Sequence, residues 1–489
     1  MRYLTILLIV AALFSTAAAD RLVRLYELPR GSSLQLVQEG WDVANVDPGG
    51  RFIDVMLPER QLDRAALLTH NYQVLPREWS ELLPENSRGA GYYYDPEENW
   101  AFWCSLAAEN GDLVDTPVTI GQSYQSRDIY AIEMTSAAGG YKPPIIFSSL
   151  IHAREPGGNS VLIDFANWLV DNYDGGDTRA AYILDNSTLY FIPVANPDGY
   201  EYNMPGGGYH RKNMNFTLGD GVDLNRNWGY MWGYDDVGSS PNPGDETYRG
   251  TGPFSEPETQ VQRDFMISME PIAAMSYHTY GGYLLYPWGY NNTPTPDESL
   301  FQSWAQAMTT ENGYEYGRCG QVLLYNSNGD QLDWSYSGQD MPKVYCMTPE
   351  VGDNGFWGSQ NDTTEIERIC DECRPMNILF CMFALNYVGI GDDGDQIGIE
   401  PLLRINSVRP NPVVTSAVFG VTSPQSPVLD VLIYDTSGRI VDSFQSVNPD
   451  GGTVSLSWAV PENVPAGVYT ASITDGAGNV DTGRFTVLR

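Results

Sequence analysis

Between about Asn99 and Ile390 the chain alternates short, wholly apolar runs with longer helix-patterned ones, and this alternation restricts the fold more than any other feature of the sequence. Pro144 to Leu150 and Leu189 to Val194 are runs of the first kind; Ser160 to Tyr173 and Glu256 to Met269 are of the second. A strand apolar along its whole length is covered on both faces. Such strands separated by helices predict a single α/β domain with a central mixed β-sheet flanked by helices, its chemistry on the loops at strand ends.

The flanking regions read differently. Met1-Arg2-Tyr3, an apolar run from Leu4 to Leu13 and Ala17-Ala18-Ala19 form a secretory signal over 1–19, too short to span a bilayer. The protein is therefore expected to be secreted, and no later stretch has the ~20 apolar residues a membrane helix needs. From Asp20, strand-like Leu22 to Leu28, Phe52 to Leu57 and Tyr72 to Leu75 interleave with helical Leu34 to Gly40 and Arg60 to Leu68, which predicts a small βαβ-type α+β sandwich. Its size fits a prosegment. Linker composition from Glu81 to Tyr94 completes a prosegment unit at 20–90, with Arg88 as the candidate cleavage point. The catalytic unit is placed at 95–390. After an acidic, Gly-rich linker at 391–400, the segment 401–489 carries strand-like Ser416 to Gly420, Val428 to Tyr434, Thr453 to Trp458, Gly467 to Thr474 and Gly483 to Leu488, which predicts an all-β sandwich.

Charge excludes one class of function. The 489 residues hold 27 basic and 62 acidic side chains, a net of −35, which repels phosphate backbones and rules out nucleic acid as a partner. Such acidity suits a saline or calcium-containing medium, although no pattern assigns a Ca2+ site. Six cysteines (Cys104, Cys319, Cys346, Cys370, Cys373, Cys381) leave pairing open. Cys370-x-x-Cys373 has no second pair and no nearby His, so it is expected to be structural.

Four histidines occur, and context separates them. His152-Ala153-Arg154-Glu155 follows directly on an apolar strand, so an imidazole and a carboxylate three residues apart can grip one ion. His278 follows another strand-like run, Ile272 to Tyr277. A third ligand from there leaves one coordination position for water, as catalytic Zn2+ requires.

Five segments together resemble the zinc metallocarboxypeptidase family of the carboxypeptidase A, B and T type: His152-Ala153-Arg154-Glu155; Asn196-Pro197-Asp198-Gly199-Tyr200; Asp223-Leu224-Asn225-Arg226-Asn227-Trp228; His278-Thr279-Tyr280 with Leu285-Tyr286-Pro287; and Tyr325 through Leu332-Asp333-Trp334 to Glu350. The resemblance implies a zinc carboxypeptidase-like fold, one Zn2+ held by His152, Glu155 and His278, and Glu350 as general base. It further implies Arg211 as the oxyanion-stabilising cation and Asp223 as the carboxylate that fixes the His152 tautomer. His210, beside Arg211, reads as a tolerated substitution rather than a fourth ligand. Asn225 and Arg226 match a clamp for a terminal carboxylate, which favours exopeptidase over endopeptidase action on peptide and protein C-termini. Arg154 and Tyr325 match a substrate-contacting arginine and a capping tyrosine.

Leu332 matches the base of the side-chain pocket and suits apolar residues, while Asp330 would face the same way in a strand and suit basic ones. Broad or hydrophobic specificity is the expectation. Pro410-Asn411-Pro412, Ile433 to Arg439 and Ala466-Gly467-Val468-Tyr469 resemble the C-terminal sorting domains of some Gram-negative secreted proteins, which makes a bacterial secretion machinery the expected partner of that unit. The rival readings are a peptidoglycan-trimming peptidase on the same scaffold and a non-catalytic peptide-binding or adhesion protein.

Overall fold

The computed structural model describes residues 20–75, 93–385 and 404–488, apart from breaks at 30, 48, 139–141, 205–207, 354, 358–362, 424–427, 436–438, 448–451, 462 and 476–479. The expected signal at 1–19, Arg88, and the linker at 391–400 lie outside the described residues.

The first unit contains strands β1 (Asp20–Tyr26), β2 (Asp42–Val46), β3 (Phe52–Pro58) and β4 (Tyr72–Val74), in the order β2-β3-β1-β4. Its helices are Ser32–Gln38 and Asp63–Leu68. The βαβ-type expectation needs one correction: every strand pair is antiparallel. Each helix does join two strands that run the same way, but a third strand separates them in the sheet, so no parallel ladder forms.

The central unit is an eight-stranded mixed sheet of β5 (Val118–Gln122), β6 (Asp128–Met134), β7 (Pro144–Ser148), β8 (Thr188–Ile192), β9 (Ala273–Ser276), β10 (Tyr283–Leu285), β11 (Glu315–Gly317) and β12 (Tyr345–Glu350). The order is β11-β10-β12-β9-β7-β8-β6-β5. Strands β12, β9, β7 and β8 run parallel, so their C-terminal ends share one edge. Successive side chains go to opposite faces, which explains why these strands are apolar throughout. Ile145, Phe147, Ala273, Met275 and Met347 face helices Gly157–Gly175 and Thr363–Ala384; Ile146, Ala274 and Cys346 face a second core with Met266, Leu332 and Trp334.

Close packing sets one residue type outright. A Cβ at Gly158, in the first turn of the helix Gly157–Gly175, would lie 2.5 Å from Tyr277 Cβ. Only glycine lets that helix start against the end of β9.

The last unit is a sandwich of two antiparallel sheets. One is β13 (Arg404–Arg409), β14 (Ser416–Ser423) and β17 (Gly452–Ala459); the other orders β16 (Ile440–Val447), β15 (Val428–Asp435), β18 (Gly467–Asp475) and β19 (Val480–Val487). Phe419, Leu456, Trp458, Ile433 and Phe485 fill the space between them. Sequence reading missed β13 and β16. No helix among the described residues is long and apolar enough to cross a membrane.

Candidate active site

The C-terminal ends of β7, β9 and β12 deliver the chemistry. His152 and Glu155 occupy the turn between β7 and the helix Gly157–Gly175, His278 stands two residues past β9, and Glu350 ends β12. A rung between His278 and Glu350, with His278 N donating to Pro349 O (2.8 Å) and Val351 N to His278 O (2.9 Å), fixes those two strand ends together.

His152 Nδ1 lies 2.9 Å from Glu155 Oε1 and 2.9 Å from His278 Nδ1, and His278 Nδ1 lies 3.0 Å from Glu155 Oε2. All three side chains are buried, and their ligand atoms fall within 4.8 Å of one another. The two imidazole nitrogens converge with the Glu155 carboxylate on one point, and no single proton serves all three groups, whereas a divalent cation accepts a lone pair from each. The donor set therefore fits Zn2+. On the far side of the ring, His152 Nε2 lies 3.2 Å from Asp223 Oδ1, the partner that orients a metal-binding imidazole. Burial opposes ionisation of Asp223, but Arg211 and Arg226 override it and hold the carboxyl well below its ordinary range.

Arg211 donates to Asp223 Oδ2 through Nε (3.1 Å) and Nη2 (3.0 Å), which leaves Nη1 toward His152 Nδ1 and Glu155. Glu350, half-buried and close to Glu155, is pushed up to about 7, chiefly by desolvation. Asp223 caps the single turn Leu224–Arg226 by accepting from Asn225 N, and so places the next two side chains. Asn225 Oδ1 accepts from Gln331 N (3.0 Å), and its Nδ2 lies 3.3 Å from His278 Nε2. Arg226 lines the same cavity as His152, Glu155, Arg211, Tyr325 and Glu350, and its Nε is buried without a partner.

Asp330 and Leu332 are not among the residues that line this cavity. Nor are they on a strand: Asp330 caps the helix Gln331–Ser337 by accepting from Asp333 N, and Leu332 points into the core. The premise that both face one pocket is corrected, because at helical spacing they diverge. The cavity is lined by Leu285, Cys319, Leu323 and Ser327, none of which the sequence reading assigned to a pocket. His210 is no ligand here; its Nε2 lies 3.1 Å from Asn213 O.

The N-terminal unit enters this cavity. Trp41, Asp42, Val43 and Ala44 line it alongside His152 and Glu155. Arg154 donates through Nη1 and Nη2 to the two Asp42 oxygens (2.6 and 2.9 Å), and its guanidinium lies 4.2 Å from the Phe356 ring centroid. Tyr280 donates to Asp54 (2.8 Å) and Tyr283 to Val46 O (2.6 Å) across the same seam. Tyr325 lines the cavity and packs against the core of the N-terminal unit.

Comparison with known proteins agrees with this geometry. Residues 100–375 match the zinc carboxypeptidase family. The chain belongs to that family. This carboxypeptidase is 33% identical to carboxypeptidase A1 of Rattus norvegicus over 315 residues, covering 62% of the chain and 72% of that relative, and 30% identical to carboxypeptidase A1 of Homo sapiens, covering 65% and 78%. Its fold is similar to that of thrombin activatable fibrinolysis inhibitor (TM-score 0.62, 22% identity, 75% of this chain and 99% of that one). It is also similar to carboxypeptidase A from Helicoverpa armigera (TM-score 0.64, 23% identity, 76% and 98%). The carboxypeptidase is thus a metal-dependent hydrolase with a site suited to Zn2+ at His152, Glu155 and His278.

Proposed function

We propose that this carboxypeptidase removes single residues from the C-termini of peptides and proteins, and that it is a secreted zymogen. The observation that carries the reading is that Arg226 lines one cavity with His152, Glu155, Arg211 and Glu350, while the Asn225 amide lies 3.3 Å from His278 Nε2. An arginine fork beside an amide recognises a carboxylate in two parallel hydrogen bonds, and a peptide bears that group only at its end.

Zn2+, when bound, supplies a Lewis acid that polarises the scissile carbonyl and makes water acidic. The side chains do the rest. Glu350 accepts the proton from the attacking water and returns it to the leaving amine. Arg211 donates from Nη1 to the oxygen on which charge develops, and Asp223 keeps the guanidinium aimed. Arg226 and Asn225 hold the terminal carboxylate, and Tyr325 closes over the substrate. A pocket of Leu285, Cys319 and Leu323 with Ser327 supports a preference for apolar C-terminal residues, and the buried Asp330 nearby leaves room for broader use. Asp42 occupies Arg154, the arginine that would meet substrate upstream of the scissile bond, which supports a zymogen opened by cleavage near Arg88. The β-sandwich has no part in the cavity and fits an export or attachment role.

Protein cut near Arg88 and loaded with Zn2+ is offered paired peptides with free or amidated C-termini, read by mass spectrometry with a chelator control. Loss of one residue from the free-ended peptide alone, abolished by chelator, supports the reading. If neither is cut while a peptidoglycan tetrapeptide is trimmed, the peptide reading fails in favour of the murein alternative.

A further inference from the structure

Three carboxylates buried near the site take no part in the mechanism above: Asp198, Glu256 and Glu258, the last with no exposed surface. Two of them converge on one amide. Asn213 Nδ2 donates to Glu256 Oε2 (2.9 Å) and Glu258 Oε2 (3.2 Å). Glu256 is held in turn by Ser255 Oγ (2.8 Å) and Asn215 Nδ2 (2.8 Å), and Glu258 Oε1 accepts from Tyr124 N (2.9 Å). With both acceptors on one side, the amide has a single orientation, and its Oδ1 faces the other way.

That oxygen accepts from Val222 N (2.9 Å) while Asn213 N donates to Val222 O (3.0 Å). Asn213 therefore closes both halves of a rung between the segment 211–213 and the segment 222–223. Gly221, at φ +94°, permits this approach, because a side chain there would collide with the Asn213 carbonyl. Arg211 lies two residues before one end of the rung and Asp223 one residue after the other. Their guanidinium–carboxylate pair is thus a side-chain bond spanning a joint that Asn213 sets. The segment is tied from its opposite edge too, where Ala153 N, next to the ligand His152, donates to Arg211 O (3.0 Å).

We propose that Asn213, oriented by Glu256 and Glu258, is a positioning residue that sets Arg211 for the oxyanion through the Val222–Asp223 turn. The proposal rests on the peptidase reading above. Burial, beside Asp198, pushes Glu258 up to about 7, so near neutrality this partner takes the amide hydrogen without adding a second full charge at the joint.

A double-mutant cycle in the full, Zn2+-loaded, prosegment-cleaved chain tests it, with kcat, KM, zinc content and thermal midpoint read for wild type, N213A, R211A and the pair. Loss of aim costs turnover rather than binding, so N213A is expected to lower kcat at least about tenfold, with KM nearly unchanged and zinc stoichiometric. The double variant is expected to be no worse than R211A, because the two act as a unit. If N213A does not fold, the near-isosteric N213D enters the same cycle, with a loss that deepens as pH rises. Full kcat in a folded N213A or N213D, or losses that add to that of R211A, overturn the proposal; an inactive wild type overturns the peptidase reading and this inference with it.

Discussion

Glu350 can be changed without disturbing the fold around it. Its backbone is held by the rung to His278, so E350Q keeps strand β12, and the metal ligands are separate residues. General-base catalysis is worth about 10²–10⁴-fold, so E350Q is expected to lower kcat by that order while zinc analysis still finds one ion per chain. Glu258 gives a stability prediction with a definite sign. Its pKa is about 7 in the folded chain against an ordinary 4.5, so the native state binds the proton more tightly. The destabilisation is absent below about pH 4.5, grows as pH rises toward 7 and is complete above it, reaching about 3 kcal/mol at most. E258Q should remove that slope, and chemical denaturation at pH 5 and pH 8 measures it. The metal-binding triad was readable in the sequence because each His follows an apolar strand, and a strand end is where a side chain is both fixed and accessible. The pocket residues Leu285, Cys319 and Leu323 were not, because they come from separate segments that only the folded sheet brings together.

At the level of elements, the central strands were legible because burial on both faces leaves no polar position to blur them. The helix capped by Asp330 was considered as a strand, in which Asp330 and Leu332, two residues apart, would face one way. Its cap was the missed signal: an Asp followed three residues later by an acid marks a helix start. Strands β13 and β16 escaped for the opposite reason. Both lie toward the outside of the sandwich, and polar residues such as Asn406, Ser407, Asp442 and Ser443 interrupt their patterns. The junction of β9 with the helix Gly157–Gly175 makes its own prediction. G158A forces a methyl onto Tyr277, next to the ligand His278, and overpacking of this kind costs about 1–3 kcal/mol. A lowered thermal midpoint and weaker zinc retention, followed by calorimetry and metal analysis, are expected together.

Across the whole molecule, three units form without a covalent staple. None of the six cysteines is paired, and all but Cys104 are buried, with burial raising the thiols of Cys319, Cys346, Cys370, Cys373 and Cys381. Cys370 and Cys373 pack within the main core, in keeping with a structural part. The fold is therefore expected to be indifferent to redox conditions: millimolar reductant should leave the thermal midpoint unchanged, and native alkylation should label Cys104 first. The order of the three units was visible in the sequence because linker-like composition at 81–94 and 391–400 separates stretches of different strand and helix patterning.

In the proposed zymogen the ion pair between Arg154 and Asp42 would separate scission from escape. Its two halves sit in different units, and with the Tyr280 and Tyr283 bonds it survives any cut between residues 76 and 92. While the chain is whole, the plug rebinds from an effective concentration in the millimolar range; once nicked, it rebinds only as often as two free fragments meet. Activity should then lag behind cleavage on a gel, the lag should shorten on dilution, and D42N should nearly abolish it. The nick would set a clock running, and the crowding around the enzyme would decide how long it ran.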